Sequence, residues 1–309
     1  MTRWLVTGAT GLLGSNAALR LSSHHEVICT ARSRPLGVPL EFMVADLLTK
    51  AGRDGLVEKS GARAILHAAA LASIEACAND PELADELNVT VAAELARQAS
   101  VLGAAFVYIS TDAVFDGTKG AYAEDDVPSP TSVYGRSKLA GERAVLEANP
   151  NALVARVNFY GWSPSGERSL AEFFFNNLIH GHTVPGFTDT VVSTMFVDLL
   201  VDALADLSAS GANGVVNVVS SEAISKFEFG RLLAVRFGFD PELVVPATSA
   251  EYLKVSRGSQ MSLDTTRVER LLGRQMPSQK EGIERLKAAL DTGVREHLRV
   301  FDTRNGKLP

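Results

Sequence analysis

Two cysteines in 309 residues are too few and too scattered for a disulfide framework or a zinc site. Cys29 falls in an apolar run and Cys77 near a helix start. No apolar run reaches the roughly 18 residues that a membrane-crossing helix needs. Positive charge is not in excess: 30 basic residues against 36 acidic ones leave a net charge of −6. That argues against a general nucleic-acid or acidic-membrane surface. The first strand-like run begins at residue 3, which leaves no room for a signal peptide, so a soluble, cytoplasmic protein is expected. There is no internal repeat and no low-complexity stretch. What is present is ordinary for a folded chain: 46% apolar and 21% charged residues. The length suits one large α/β domain, alone or with a smaller lobe.

The apolar run Arg3-Trp-Leu-Val-Thr7 is suited to a buried parallel strand. Gly8-Ala-Thr-Gly11-Leu-Leu-Gly14 follows at once and leads into a helical pattern. Strand, glycine turn and helix start stand in the order of a dinucleotide site. Gly8 allows the tight turn, Gly11 lets the backbone approach a pyrophosphate, and Gly14 lets helix and strand pack closely. The spacing is G-x-x-G-x-x-G, a loose match to the general fingerprint, and an ordinary βα turn is the alternative. A second strand, Glu26 to Ala31, ends at Arg32-Ser33-Arg34. No carboxylate stands there to take a ribose 2′-hydroxyl, and two arginines could take a 2′-phosphate, so NADP(H) is expected over NAD(H). The other reading of Arg32 and Arg34 is a solvated loop pair. Asp46 ends the next apolar run, beside an expected adenine. His67 closes the fourth, where a packed residue is expected rather than a catalytic one.

Tyr134 and Lys138 are four residues apart in a helical pattern, which puts them on one face. An ammonium beside a phenol is expected to lower the phenol's pKa and suit it to proton transfer. The spacing alone is weak; a dinucleotide site in the same chain gives it force. Strand-like and helix-like segments alternate through the first half, with a helix expected from Pro81 to Gly103 and strands at 105–110 and 152–157. The fold class expected is a Rossmann-type doubly wound parallel sheet with a smaller mixed α/β lobe. Residues 1–160 would hold the cofactor, later segments near 190–220 would return to that domain, and 161–309 would mainly bind substrate. Phe173-Phe-Phe175 reads as core or as substrate contact. Helices are expected near 196–208, 224–237, 264–273 and 279–297.

These residues resemble the extended short-chain dehydrogenase/reductase family, and within it the dTDP-4-dehydrorhamnose reductase group. Ser110-Thr-Asp-Ala-Val-Phe-Asp-Gly117 is similar to that group's Ser-Thr-Asp-Tyr-Val-Phe-Asp-Gly, with Ala113 as a departure. The His67-Ala-Ala segment and Tyr134-Gly-x-Ser-Lys-Leu-Ala-Gly-Glu142 match in the same order. The resemblance implies a catalytic trio of Thr111, Tyr134 and Lys138. It implies cofactor contacts from Gly8, Gly11, Leu12, Leu13, Asp46, Leu47, Ala68 and Ala69, with Tyr134 and Lys138 also facing the cofactor. Substrate contacts are expected from Asp112, Val114, Phe159, Trp162 and Arg257. Arg257-Gly-Ser-Gln-Met-Ser-Leu-Asp264 keeps only the ends of the group's Arg-Pro-x-Asn-Ser-x-Leu-Asp.

The implied activity is reduction of a keto group, with a 4-keto nucleotide sugar as the small-molecule partner. An epimerase or dehydratase, a reductase of a non-nucleotide ketone, and a non-enzymatic cofactor-binding subunit stand as alternatives. Glu124-Asp125-Asp126 reads as a solvated loop rather than a metal site. Pairing of the helices at 82–102 and 131–149 would give a homodimer, although both could be used in covering the sheet.

Overall fold

A computed structural model describes residues 1–252 and 258–303. Strands β1 (Arg3–Thr7), β2 (Glu26–Ala31), β3 (Glu41–Val44), β4 (Ala64–His67), β5 (Ala105–Thr111), β6 (Leu153–Val157) and β7 (Gly214–Asn217) form one sheet. Its order is β7-β6-β5-β4-β1-β2-β3, and every pair is parallel. Consecutive side chains point to opposite faces of a strand, so this sheet has two cores. Trp4 and Val6 pack on one side with Leu13, Ala17 and Leu204, whereas Leu5, Ile28 and Ile65 pack on the other with Val91 and Leu95. The expected doubly wound α/β fold is the observed one. β7 comes from beyond residue 160 and extends this sheet by pairing with β6.

The helices that position the site are α1 (Leu12–Ser22), α2 (Val91–Leu102), α3 (Val133–Ala148), α4 (Leu170–Leu178), α5 (Val197–Ala209), α6 (Lys226–Phe237) and α7 (Gln279–Asp291). Among the described residues, three two-stranded sheets lie outside the main one. Phe159–Tyr160 pairs with Met195–Phe196, Val191–Val192 with Ile224–Ser225, and Val184–Phe187 with Val244–Ala247. Ser169 and Ser225 cap α4 and α6 through reciprocal capping boxes with Glu172 and Glu228, the arrangement that satisfies orphan N–H groups at a helix start. No helix among the described residues is long and apolar enough to cross a membrane.

Two expected helices are broken. The 279–297 segment is interrupted at Gly293, whose φ of +76° stops α7 before Val294–Arg299 begins. The segment from Pro81 to Gly103 is helical at both ends but widens to a π turn at Glu86–Thr90. The cause lies in tertiary contacts of Asn88. Its amide nitrogen donates to the Leu71 carbonyl (3.1 Å) and the Ser137 hydroxyl (2.9 Å), and its backbone carbonyl accepts the Tyr108 hydroxyl (2.8 Å). Such single wide turns inside α-helices recur at functional sites.

Candidate active site

The turn between β1 and α1 is made of backbone. Gly8 has φ +65°, a left-handed conformation natural to glycine, and a Cβ there would lie 2.7 Å from the Ala69 nitrogen. A side chain at Gly14 would run into the Gly8 carbonyl. Gly11 caps α1 without a side-chain partner, and no acidic residue stands in the first turn. That helix start therefore presents N–H groups and a partial positive charge with no internal anion to satisfy them.

A groove of about 480 Å³ opens beside it, bordered by Gly8, Gly11, Arg32, Asp46, Leu47, Ala68 and Ala69. It lies at the carboxyl ends of β1 and β4, where the strand order reverses, the place where open α/β sheets bind ligands. Thr30 also borders it, and its buried hydroxyl has no hydrogen-bond partner. Glycine cradle, uncapped helix start and orphan hydroxyl together fit a dinucleotide.

Not every residue expected there borders the groove. Leu13 is buried in the core, so only its backbone could serve a ligand, and Gly14 contributes by close packing. Leu12 is half-buried at the first helical position. Of the two arginines, Arg32 lines the groove, whereas Arg34 is exposed and directed to the Leu40 carbonyl at 3.5 Å.

A second cavity of about 560 Å³ contains Thr111, Asp112, Tyr134, Asn158, Phe159, Lys226 and the half-exposed Phe173. Arg168 borders both cavities. Thr111 ends β5, and its hydroxyl accepts the Ala113 N–H (3.2 Å), capping the short turn Asp112–Val114. The same hydroxyl donates to Asp112 Oδ1 at 3.0 Å. Asn158, just past β6, donates to Asp112 Oδ2 at 2.6 Å. Burial raises the Asp112 pKa, and these two hydrogen bonds oppose the rise.

Tyr134 and Lys138 sit on α3, which Ser132 caps through the Gly135 N–H (3.0 Å). Tyr134 is set deep among protein atoms while part of its surface remains open to the cavity. Burial raises its pKa above the ordinary phenol value, and a hydrogen bond with Thr111 pulls the other way. This corrects the expectation of a phenol made acidic by its neighbouring ammonium. Lys138 is itself buried, which brings its pKa down to about 7, and its ammonium lies 3.9 Å from the centre of the Tyr108 ring. A pKa raised in this way favours the protonated phenol, the form that can give a proton.

His67 is packed, as its place at a strand end suggests. Its Nδ1 is 2.9 Å from the Thr7 hydroxyl, its ring stacks against Phe106 and Tyr108, and burial lowers its pKa to about 3. Two expected substrate contacts are corrected. Val114 is fully buried among Phe115, Tyr122, Val219 and Leu263. Trp162 is also core, edge-on to Phe175 and Phe237, with its indole N–H given to the Leu286 carbonyl (3.0 Å). A tryptophan just past β6 looked available for substrate, but the later helices cover it. Arg257 lies outside the described residues.

In the acidic loop, Asp126 pairs with Lys119 at 2.7 Å and Glu124 accepts the Asn217 N–H. Asn158, Arg168 and Lys226 were missed from sequence. Asn158 had a signal, its place immediately after a buried strand. Arg168 and Lys226 come from segments with no motif.

Residues 2–292 match the family described as the RmlD substrate binding domain. The probable low-salt glycan biosynthesis reductase Agl14 of Haloferax volcanii is 31% identical over 291 residues, covering 92% of this chain and 97% of that protein. Methionine adenosyltransferase 2 subunit beta of Pongo abelii is 32% identical over 289 residues, covering 89% and 84%. The crystal structure of dTDP-4-dehydrorhamnose reductase from Bacillus anthracis in complex with NADP superposes with a TM-score of 0.82 at 25% identity, over 93% of this chain and 99% of that one. With a match spanning nearly its whole length, the chain belongs to the RmlD substrate-binding domain family.

Proposed function

We propose that the protein is an NADPH-dependent reductase of a keto group, an extended short-chain dehydrogenase/reductase whose substrate is a 4-keto nucleotide sugar such as dTDP-4-dehydrorhamnose. The observation that carries this reading is that Tyr134 and Thr111 line one cavity, which shares Arg168 with the glycine-turn groove. Residues 1–160 with the returning segment near 190–220 hold the cofactor, and 161–309 mainly shape the substrate side.

Gly8, Gly11 and the start of α1 would hold the pyrophosphate, Asp46 and Leu47 would flank the adenosine, and Arg32 would take the 2′-phosphate. Ala68 and Ala69 leave room for a flat cofactor, and Lys138 would hold its ribose. A nicotinamide held there would supply the hydride for the carbonyl carbon. Tyr134, a neutral phenol, gives its proton to the oxygen as the alkoxide forms. Help of this kind is worth about 10²–10⁴-fold. Thr111 donates to the developing charge, which requires its hydroxyl to turn from Asp112. Asp112, held by Asn158, is then free to accept a substrate hydroxyl.

The NADP-bound Bacillus anthracis relative supports the cofactor, and Agl14 supports a reductase. The test is a cofactor-oxidation screen over 4-keto nucleotide sugars and simple ketones, with NADPH and NADH compared. Net NADPH oxidation with a 4-keto nucleotide sugar is expected. Conversion without net cofactor oxidation would instead indicate an epimerase or dehydratase.

A second reading, a cofactor-binding regulatory subunit, draws on the similarity to methionine adenosyltransferase 2 subunit beta. The complete trio Thr111, Tyr134 and Lys138 weighs against it. NADPH binding without turnover on any ketone, together with co-purification of a larger catalytic chain, would favour it.

A further inference from the structure

A buried ion pair joins α3, which carries Tyr134 and Lys138, to β6, and its carboxylate also reaches Ser110 beside Thr111. Glu142 on α3 and Arg156 on β6 are each only 3% exposed. Glu142 Oε1 accepts the Ser110 hydroxyl at 2.5 Å and Arg156 Nε at 3.0 Å, and Oε2 accepts Arg156 Nη2 at 2.8 Å. The guanidinium lies 5.0 Å over the Phe115 ring and donates to the Glu124 carbonyl at 3.4 Å. Ser110 directly precedes Thr111, Arg156 stands two residues before Asn158, and Glu142 lies one turn after Lys138. One carboxylate is thus tied to all three supports of the site.

Stability alone is a poor reason for such a pair. Burying two charges is costly, and well-packed apolar replacements are often neutral or better. The position of Glu142 suggests a different reason. Residues i and i+4 share a helix face, which puts Glu142 on the same face of α3 as the buried Lys138. The other titratable groups around Lys138 are His67 from β4, Cys77 from the short helix Ile74–Asn79, Tyr108 from β5 and Tyr134 from α3 itself. His67 is held neutral by burial, and the Cys77 thiol and both phenols are raised by burial. Among these groups Glu142 has the largest influence in keeping Lys138 protonated against desolvation, and Cys77 acts in the same direction to a smaller extent.

We propose that Glu142 is a positioning residue whose carboxylate, fixed by Ser110 and Arg156, keeps the Lys138 ammonium charged for cofactor binding. This rests on the reading of Lys138 as the group that holds the cofactor ribose.

The test is NADPH titration by fluorescence from about pH 6 to pH 10, which needs no ketone. Wild-type affinity is expected to fall through a single midpoint. Glu142→Gln should move that midpoint down by about one pH unit or more. Because an unpaired buried Arg156 could unfold the single variant, Glu142→Gln/Arg156→Met is measured beside it. The double variant should keep the lowered midpoint while its melting temperature recovers.

A folded variant with the wild-type midpoint and evenly weaker binding would assign Glu142 to structure only and overturn the proposal. So would a wild type with no midpoint. Absence of turnover on every ketone would instead remove the reductase reading, and the binding result would still decide the role of Glu142.

Discussion

The two cavities meet at Arg168 but are built in different ways. The glycine-turn groove is mostly backbone: a left-handed Gly8, an uncapped helix start and the small side chains of Ala68 and Ala69. The neighbouring cleft is mostly side chains, with Asn158 and Thr111 both donating to Asp112 and Tyr134 lining the same cavity. A backbone cradle tolerates almost no added atom yet depends little on which polar groups surround it. A side-chain cleft tolerates small changes of volume but depends on every donor and acceptor. Substitutions on the two sides should therefore separate binding from chemistry.

The largest expected effect is in the cleft. Tyr134→Phe removes one hydroxyl and should lower kcat about 10²–10⁴-fold, while NADPH affinity by fluorescence titration stays near wild type. If more than a tenth of wild-type kcat remained, Tyr134 would not be the acid. Next comes the cradle. Gly8→Ala places a methyl group against the Ala69 backbone at a positive φ, so NADPH affinity should drop at least about tenfold and the melting temperature should fall. Unchanged affinity would mean that the groove is not the cofactor site.

Within the groove, the two arginines give a finer contrast. Arg32→Ala should lower the NADPH-over-NADH preference by roughly tenfold, the loss of one charge-assisted contact, whereas Arg34→Ala should leave it unchanged. Equal losses would mean that Arg34 reaches the ligand by a loop movement.

The smallest effect concerns stability of the ligand-free protein. Burial holds Lys138 at about 7 in the folded state, whereas an unfolded lysine titrates near 10.4. Between those values the unfolded chain binds more protons, so this group makes stability rise as pH increases. Lys138→Met removes the titration. Its melting temperature should exceed wild type by several degrees near neutral pH, and the gap should shrink as the pH is raised through that window. A constant gap would place a different charge state at Lys138.

The contrast also explains what the sequence disclosed. The groove could be read because its determinants are local: a buried run, three glycines and a helix start within Arg3–Ser22. The parallel sheet was legible for the same reason, strand by strand. The cleft was legible only where a motif carries it, at Ser110–Asp112 and Tyr134–Lys138. Arg168 and Lys226 reach it through the packing of α4 and α6, and no spacing within those segments encodes that arrival. Trp162 and Val114 misled for the converse reason: residues close to them in sequence, Phe159 for the one and Ala113 and Phe115 for the other, line the cleft, while they themselves fill the core. The lowered phenol pKa expected of Tyr134 failed because helical spacing says nothing about burial, which acts on both members of the pair.

The π turn at Glu86–Thr90 bears on catalysis at a distance. Ser137 accepts the Asn88 amide and donates a hydrogen bond to the Tyr134 carbonyl (2.9 Å), and Gly141 lets α3 come right up to the Asn88 carbonyl and the Tyr108 hydroxyl. An α-helix turns by about 100° per residue, so a slip of α3 by a single position would swing the phenol out of reach of the ketone. The irregular winding of one helix thus acts as the stop that sets the angular phase of its neighbour.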